Sequence, residues 1–376
     1  MINPENFYKS LIKEDISFFT GVPDSLLKNL CFYISDIENN KNHIIATNEG
    51  NALSLGIGYY LSTKKIPLIY MQNSGLGNII NPLLSLADKD VYSIPMILLI
   101  GWRGEPGVKD EPQHKKQGRI TLKLLKTMEV PYYILSKTNN NSDADSIIKK
   151  IKNKILKTNK PHAIVIKQDS FKDYKPKKTI SKKLSLTRDE SINIIMSCID
   201  DKDIVVSTTG YTSRELFEYR KKSSKNIKND FLVVGGMGHA SQIALGMALY
   251  KKNKNVYCLD GDGAVLMHMG SLTINSKSQC KNFKHIVFNN GCHESVGGQP
   301  TLGFHINLQK IASGSGYTLV LKAKTKNELK KCLKKLKDYN KPAFLEIMVK
   351  KGTRKNLGRP TTTPIQNKNI LMNNIK

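Results

Sequence analysis

The sequence predicts an α/β protein built from two doubly wound parallel-sheet domains. Three observations predict it. Short β-rich runs alternate with helical patterns along nearly the whole chain, as βαβ units do. The alternation is interrupted once, by a basic stretch at 171–183 (FKDYKPKKTISKK) without apolar periodicity. The chain has 376 residues, enough for two or three domains at about 150 residues each.

The elements follow in order. Asn3 and Pro4 form an N-cap and N1 pair that opens a helix to about Glu14. Strands are expected at 16–19, 43–47, 67–72, 95–102, 131–135 and 162–167, with helical patterns between them, such as 23–37, 49–61 and 143–157. After the linker, Thr187 and Glu190 form a capping box at the start of a helix. Further strands are expected at 203–208, 231–234, 256–260, 285–289, 317–323 and 343–349. No short repeat relates the halves, so any kinship between them is architectural. The expected boundaries are 1–170, a linker 171–186, 187–352, and a polar tail 353–376.

Composition narrows the class. The net charge is +28, but 52 of the 59 basic residues are lysines, scattered and often beside Asn. That pattern reads as a solvated surface, so neither a nucleic-acid partner nor a membrane is expected. The six cysteines include no C-x-x-C pair, which argues against a disulfide framework or structural zinc and for a reducing, cytoplasmic setting. MINPENFYKS lacks the pattern of a signal peptide, and the apolar run 95–102 is too short to cross a bilayer.

The chemistry concentrates at strand ends. The strand at 256–260 runs into Asp260-Gly261-Asp262-Gly263, and the strand at 285–289 ends in Asn289-Asn290-Gly291. Open α/β sheets bind ligands at the carboxyl ends of their strands, so Asp262 and Asn290 can meet although 28 positions apart. A carboxylate and an amide oxygen suit a hard cation such as Mg²⁺. Gly261 and Gly263 let the backbone approach phosphates without a Cβ in the way. Gly235-Gly236-Met237-Gly238-His239-Ala240 and Thr47-Asn48-Glu49-Gly50 each follow a strand and open a helix.

G-D-G followed by N-N at this spacing resembles the diphosphate-binding motif of thiamine diphosphate enzymes. The resemblance implies thiamine diphosphate and Mg²⁺ as cofactors. It makes Asp262, the Asn290 side chain and the Cys292 carbonyl the metal ligands. Gly235 would present a carbonyl to the aminopyrimidine and Met237 would support the bent cofactor. Glu49 would bond N1′ of the aminopyrimidine and so promote formation of the ylide. In such enzymes that glutamate comes from a neighbouring subunit, which implies a homodimer or larger homo-oligomer with cofactor at the subunit interface.

GVPDSLL at 21–27, GWRGEP at 101–106, DEPQH at 110–114, NGCHESVGGQP at 290–300 and GRPT at 358–361 resemble phosphonopyruvate and sulfopyruvate decarboxylases. The likeness runs from about residue 10 to 365. With a linker this short, the middle domain of larger decarboxylases is absent. The fused chain and the ESVGGQPT segment favour the phosphonopyruvate branch. That implies decarboxylation of 3-phosphonopyruvate to phosphonoacetaldehyde and CO₂, a step of phosphonate biosynthesis. Alternatives are a sulfopyruvate decarboxylase, an acetolactate-synthase-like carboligase, and a basic nucleic-acid-binding protein on an inactive scaffold.

An anionic 2-oxo acid substrate needs cationic and N–H donors, and Arg is suited to phosphonate. Arg103, Arg119, Arg354 and Arg359 lie in motif-like segments; of these, Arg103 and Arg359 are the substrate candidates, with Asp24 and Ser25 at a strand–helix turn. His114, in an expected polar loop, and His293 are the candidates for proton transfer, with Glu294 beside His293 as a possible partner.

Overall fold

The computed structural model describes residues 1–177, 184–223 and 227–375. The chain divides into two compact units, Met1–Thr179 with Val296–Gln299, and Ile180–Ser295 with Pro300–Lys376. The first holds six parallel strands: β1 (Phe19–Gly21), β2 (His43–Ile45), β3 (Leu68–Gln72), β4 (Ile97–Gly101), β5 (Tyr132–Leu135) and β6 (His162–Ile166), in the order β2-β1-β3-β4-β6-β5. The second holds β7 (Ile204–Ser207), β8 (Asp230–Leu232), β9 (Val256–Gly261), β10 (Phe283–Asn289) and the strands Leu319–Ala323 and Ala343–Met348. Counted along the chain, its six strands take the same order, 2-1-3-4-6-5, also all parallel. The kinship of the halves is therefore one of topology. Among the described residues there is no extra middle domain.

Each sheet is covered on both faces, which is why its central strands read as continuous apolar runs. In β4, Ile97 and Leu99 enter one core with Phe7, Leu30 and Ile151. Leu98 and Ile100 enter the opposite core with Leu53, Ile79 and Leu125. Strand periodicity of two makes the same division in the second unit. Tyr257 and Leu259 pack with Ile192 and Leu333, while Val256 and Cys258 pack with Ala244 and Leu308.

The expected caps are present. Asn3 accepts from the Glu5 N–H ahead of the helix Pro4–Lys13. Thr187 and Glu190 form the reciprocal capping box of Arg188–Cys198. The first expected strand is displaced. Asp15 sits at φ 59° and the Ile16 N–H bonds the Leu11 carbonyl, closing the helix, so pairing starts only at Phe19. The second helix begins at Lys28 after a turn, not at residue 23.

Two segments read as a polar loop and a polar tail are helical. Pro112–Thr127 replaces the polar loop assigned to His114. Its buried positions, Gly118, Thr121 and Leu125, carry only one large apolar side chain, so the helical stripe is invisible to hydropathy. The tail folds as Pro364–Asn374, started by a Thr363–Gln366 capping box. It covers edge strand β8. Asn367 accepts from the Leu232 N–H at 3.1 Å and donates to the Asp230 carbonyl at 2.9 Å, standing in for a neighbouring strand. Asn367→Ala strands two buried backbone groups, and urea unfolding of the apo-protein is expected to show a loss of about 1–3 kcal/mol. An unchanged midpoint would assign the edge protection to other residues.

The start of the expected linker is packed. Phe171 lies in the first core, edge-on to Phe7 with ring centroids 5.3 Å apart, and Tyr174 donates to Asp36 at 3.0 Å. Residues 178–183 of that stretch lie outside the described residues.

Candidate active site

In the second unit, β9 and β10 are neighbours with Gly261 opposite Phe288. Their carboxyl ends bring together the two motifs that sequence separates. Asp262 opens the helix Asp262–Met267 and is 2% exposed. Its carboxylate accepts from the Asn290 and Gly263 backbone N–H groups and from Thr301 Oγ1. Burial still pushes it up to about 6. Among the described residues no cationic side chain bonds it, so a buried carboxylate stands without a counter-charge.

The paired asparagines divide their work. Asn289 Nδ2 donates to the Gly303 carbonyl at 2.7 Å and to Glu346 at 2.6 Å, anchoring the turn. Asn290 is free of that task. Its Oδ1 accepts from the Cys292 N–H at 3.1 Å and its Nδ2 lies 3.3 Å from Glu294. Gly303 keeps the site open, since a Cβ there would stand 2.3 Å from Asp262 Oδ2.

His293 is buried, and burial lowers it to about 4, so it is neutral near pH 7. It packs on Gly263, where a Cβ would lie 3.1 Å from its Cε1. Glu294 partners Arg188 at 2.6 Å rather than His293. In the glycine turn after β8, Gly236 and Gly238 have φ of 68° and 86°, and Met237 between them is half-buried. His239 Nδ1 lies 3.1 and 3.2 Å from the Gly236 and Met237 carbonyls, holding the turn that starts at Gly235.

In the first unit, Glu49 begins the helix Glu49–Thr63 behind the N-cap Asn48. It is 5% exposed, and Asn78 donates to its Oε2 at 2.7 Å. Gly75 makes room for the other oxygen, because a Cβ there would lie 2.5 Å from Oε1.

A second polar cluster gathers after β1, β3 and β4. Arg103 Nε and Nη2 grip Asp110 at 2.8 and 2.5 Å, and Nη1 donates to Ser25 Oγ at 2.8 Å. Asp24 is fully buried and accepts from Gln72 at 2.9 Å and from the Leu26 N–H at 3.0 Å. Burial raises the Asp24 carboxyl against those bonds and the charge of Arg103. Burial and the nearby Arg103 charge lower His114 to about 4. His114 sits in the first turn of its helix, not in a loop, and feels both Arg103 and Asp110. Asp24, Ser25, Arg103 and His114 are thus brought together.

Within the second unit, Arg354 is held by Glu218 and Arg359 is exposed. Residues missed from sequence are Asp110, Gln72, Asn73, Asn78 and Thr301. Asp110 and Thr301 lie inside quoted motifs and were accessible. Asn73 bonds the Arg103 backbone at both N–H and carbonyl, a contact that no spacing announces.

Cys258, Asp260 and His285 form a further buried group with metal-ligating atoms within 4.8 Å. His285 Nε2 faces Asp260 at 3.3 Å and Nδ1 faces the Tyr317 hydroxyl at 3.4 Å, while burial holds the Cys258 thiol far above its ordinary value. This reads as a satisfied core network, separate from the Asp262 ligand set.

A family model described as the thiamine pyrophosphate enzyme N-terminal TPP-binding domain matches residues 5–125, and the C-terminal TPP-binding domain matches 208–347. The chain is 30% identical to a phosphonopyruvate decarboxylase of Streptomyces viridochromogenes, over 97% of this chain and 93% of that protein. It is 28% identical to a phosphonopyruvate decarboxylase of Streptomyces hygroscopicus, over 97% and 92%. It is 27% identical to a sulfopyruvate decarboxylase of Methanosarcina acetivorans, over 94% and 92%. The residues present fit a thiamine diphosphate–divalent cation pair. The uncompensated Asp262 carboxylate and the Asn290 amide are hard oxygen donors, and Glu49 is a buried carboxylate with one oxygen tied and the other beside a glycine.

Proposed function

Because the chain belongs to the thiamine diphosphate-dependent decarboxylases related to phosphonopyruvate and sulfopyruvate decarboxylase, we propose that its 2-oxo acid substrate is 3-phosphonopyruvate, released as phosphonoacetaldehyde and CO₂. The observation that carries the substrate is the first-unit cluster. Arg103, with Nε and Nη2 on Asp110 and Nη1 on the Ser25 hydroxyl, gathers a guanidinium and a hydroxyl with His114 nearby. A phosphonate is well matched by such donors.

When bound, thiamine diphosphate supplies a carbon nucleophile and an electron sink for the departing carboxylate's electron pair. This chain's residues do the rest. Asp262, the Asn290 amide oxygen and the Cys292 carbonyl hold Mg²⁺, and Gly261 and Gly263 admit the diphosphate. The Gly235 carbonyl and Met237 orient the aminopyrimidine. Glu49 holds a proton against its ring nitrogen, and we place that Glu49 on a neighbouring copy of the chain in a homo-oligomer. His114, neutral at pH 7, takes or positions a proton beside the reacting carbon. Asp24, tied to Gln72 and the Leu26 N–H, braces the turn beside Ser25. His293 walls the Gly263 side. Arg359 is not assigned to substrate in this reading. No described helix is long and apolar enough to cross a membrane, and the six free cysteines support a reducing, cytoplasmic setting.

The test is CO₂ and aldehyde release from phosphonopyruvate, sulfopyruvate and pyruvate, with and without thiamine diphosphate and Mg²⁺. The expected result is cofactor-dependent preference for phosphonopyruvate. Turnover of sulfopyruvate alone would transfer the chain to that substrate.

A further inference from the structure

A metal-ligating amide works only with its oxygen turned to the ion, and an asparagine side chain has no intrinsic preference between its two ends. In this protein the choice is made by a buried ion network. Arg188, the first residue of the helix Arg188–Cys198, lies almost wholly inside, with 7% of its side chain exposed. Its Nε and Nη2 form a fork on Glu215 at 2.7 and 3.0 Å. Its Nη1 donates to Glu294 Oε2 at 2.6 Å. Glu294 also accepts from the Gly352 N–H through Oε1. Glu294 Oε2 then faces Asn290 Nδ2 at 3.3 Å, while Asn290 Oδ1 accepts from the Cys292 N–H at 3.1 Å.

Flipping the Asn290 amide would set its oxygen against a carboxylate and its NH₂ against an N–H donor. Both contacts would become repulsive, so one orientation is locked.

We propose that Glu294, braced by Arg188 and Glu215, is a positioning residue that fixes the Asn290 amide for metal binding. The proposal rests on the reading of Asp262 and Asn290 as Mg²⁺ ligands. Groups that orient metal ligands typically contribute about 10–100-fold to metal affinity. Glu294→Ala frees Asn290 to rotate and leaves Arg188 Nη1 without its acceptor. Glu294→Gln keeps the size but exchanges one acceptor for a donor, and serves as the milder variant should Glu294→Ala fold poorly.

The readout is calorimetric titration of Mg²⁺ in the presence of thiamine diphosphate, with the melting temperature of the apo-protein measured in parallel. The expected result is an Mg²⁺ affinity about 10–100-fold weaker in Glu294→Ala and intermediate in Glu294→Gln. Unchanged Mg²⁺ affinity in both variants, with only the apo melting temperature lowered, would overturn the proposal and leave the network a packing device. Asp262→Ala separates the two levels. If it retains normal Mg²⁺ binding, the ligand assignment itself is wrong. If it loses binding while both Glu294 variants keep it, the assignment stands and the positioning role falls.

Discussion

Glu49→Gln is expected to lower turnover by roughly a hundred- to ten-thousand-fold, the range that a positioned proton-transfer group contributes. The substitution is nearly isosteric. Its amide oxygen can keep the 2.7 Å bond from Asn78, and the space beside Gly75 is unchanged. The helix loses one negative charge from its first turn, a cost of about 0.3–1 kcal/mol. Folding and Mg²⁺-dependent cofactor binding should therefore survive. The pairing of lost rate with retained binding is the diagnostic outcome, measured by steady-state kinetics beside calorimetry. Turnover within a few-fold of the parent would remove Glu49 from the chemistry.

Asp262→Ala is expected to abolish metal-dependent cofactor binding. Among the described residues no cationic side chain bonds this buried carboxylate, and burial pushes it up to about 6 despite its hydrogen bonds. An unpaired buried carboxylate is costly, so removing it should leave the apo melting temperature nearly unchanged despite the lost bonds from Thr301 and the Asn290 N–H. The parent protein should gain thermal stability with Mg²⁺ and thiamine diphosphate, since a ligand that binds only the folded state stabilises it by mass action. The variant should show no such gain. A melting curve that still responds to both additives would overturn the Asp262 assignment.

Much of this arrangement is legible in the sequence because it is local. The Thr187–Glu190 capping box, the helix after Asn3-Pro4 and the apolar runs of β4 and β6 are each specified within a few residues. Asp262 and Asn290 are legible for a different reason. Each directly follows a strand, and parallel sheets place such positions at one edge. What stayed hidden has a common cause. The helix Pro112–Thr127 hides because two of its three buried positions are Gly118 and Thr121, which hydropathy does not mark, leaving Leu125 alone. The tail helix hides because its key side chain is a polar Asn367, whose value depends on an edge strand more than a hundred residues earlier.

The sequence by itself determined the two α/β halves, the family and the short list of chemically active residues. Periodicity, caps and strand-end motifs are properties of neighbouring residues. Only the tertiary structure decided that Asn289 is tied to the Gly303 carbonyl and Glu346, while Asn290 faces Glu294. It also paired Arg103 with Asp110 and Ser25, and gave Glu294 to Arg188 and Asn290 instead of His293. Those choices depend on which polar groups share a buried volume, where each donor must find an acceptor. Residues separated by up to 106 positions meet in that volume, and no local pattern encodes the match.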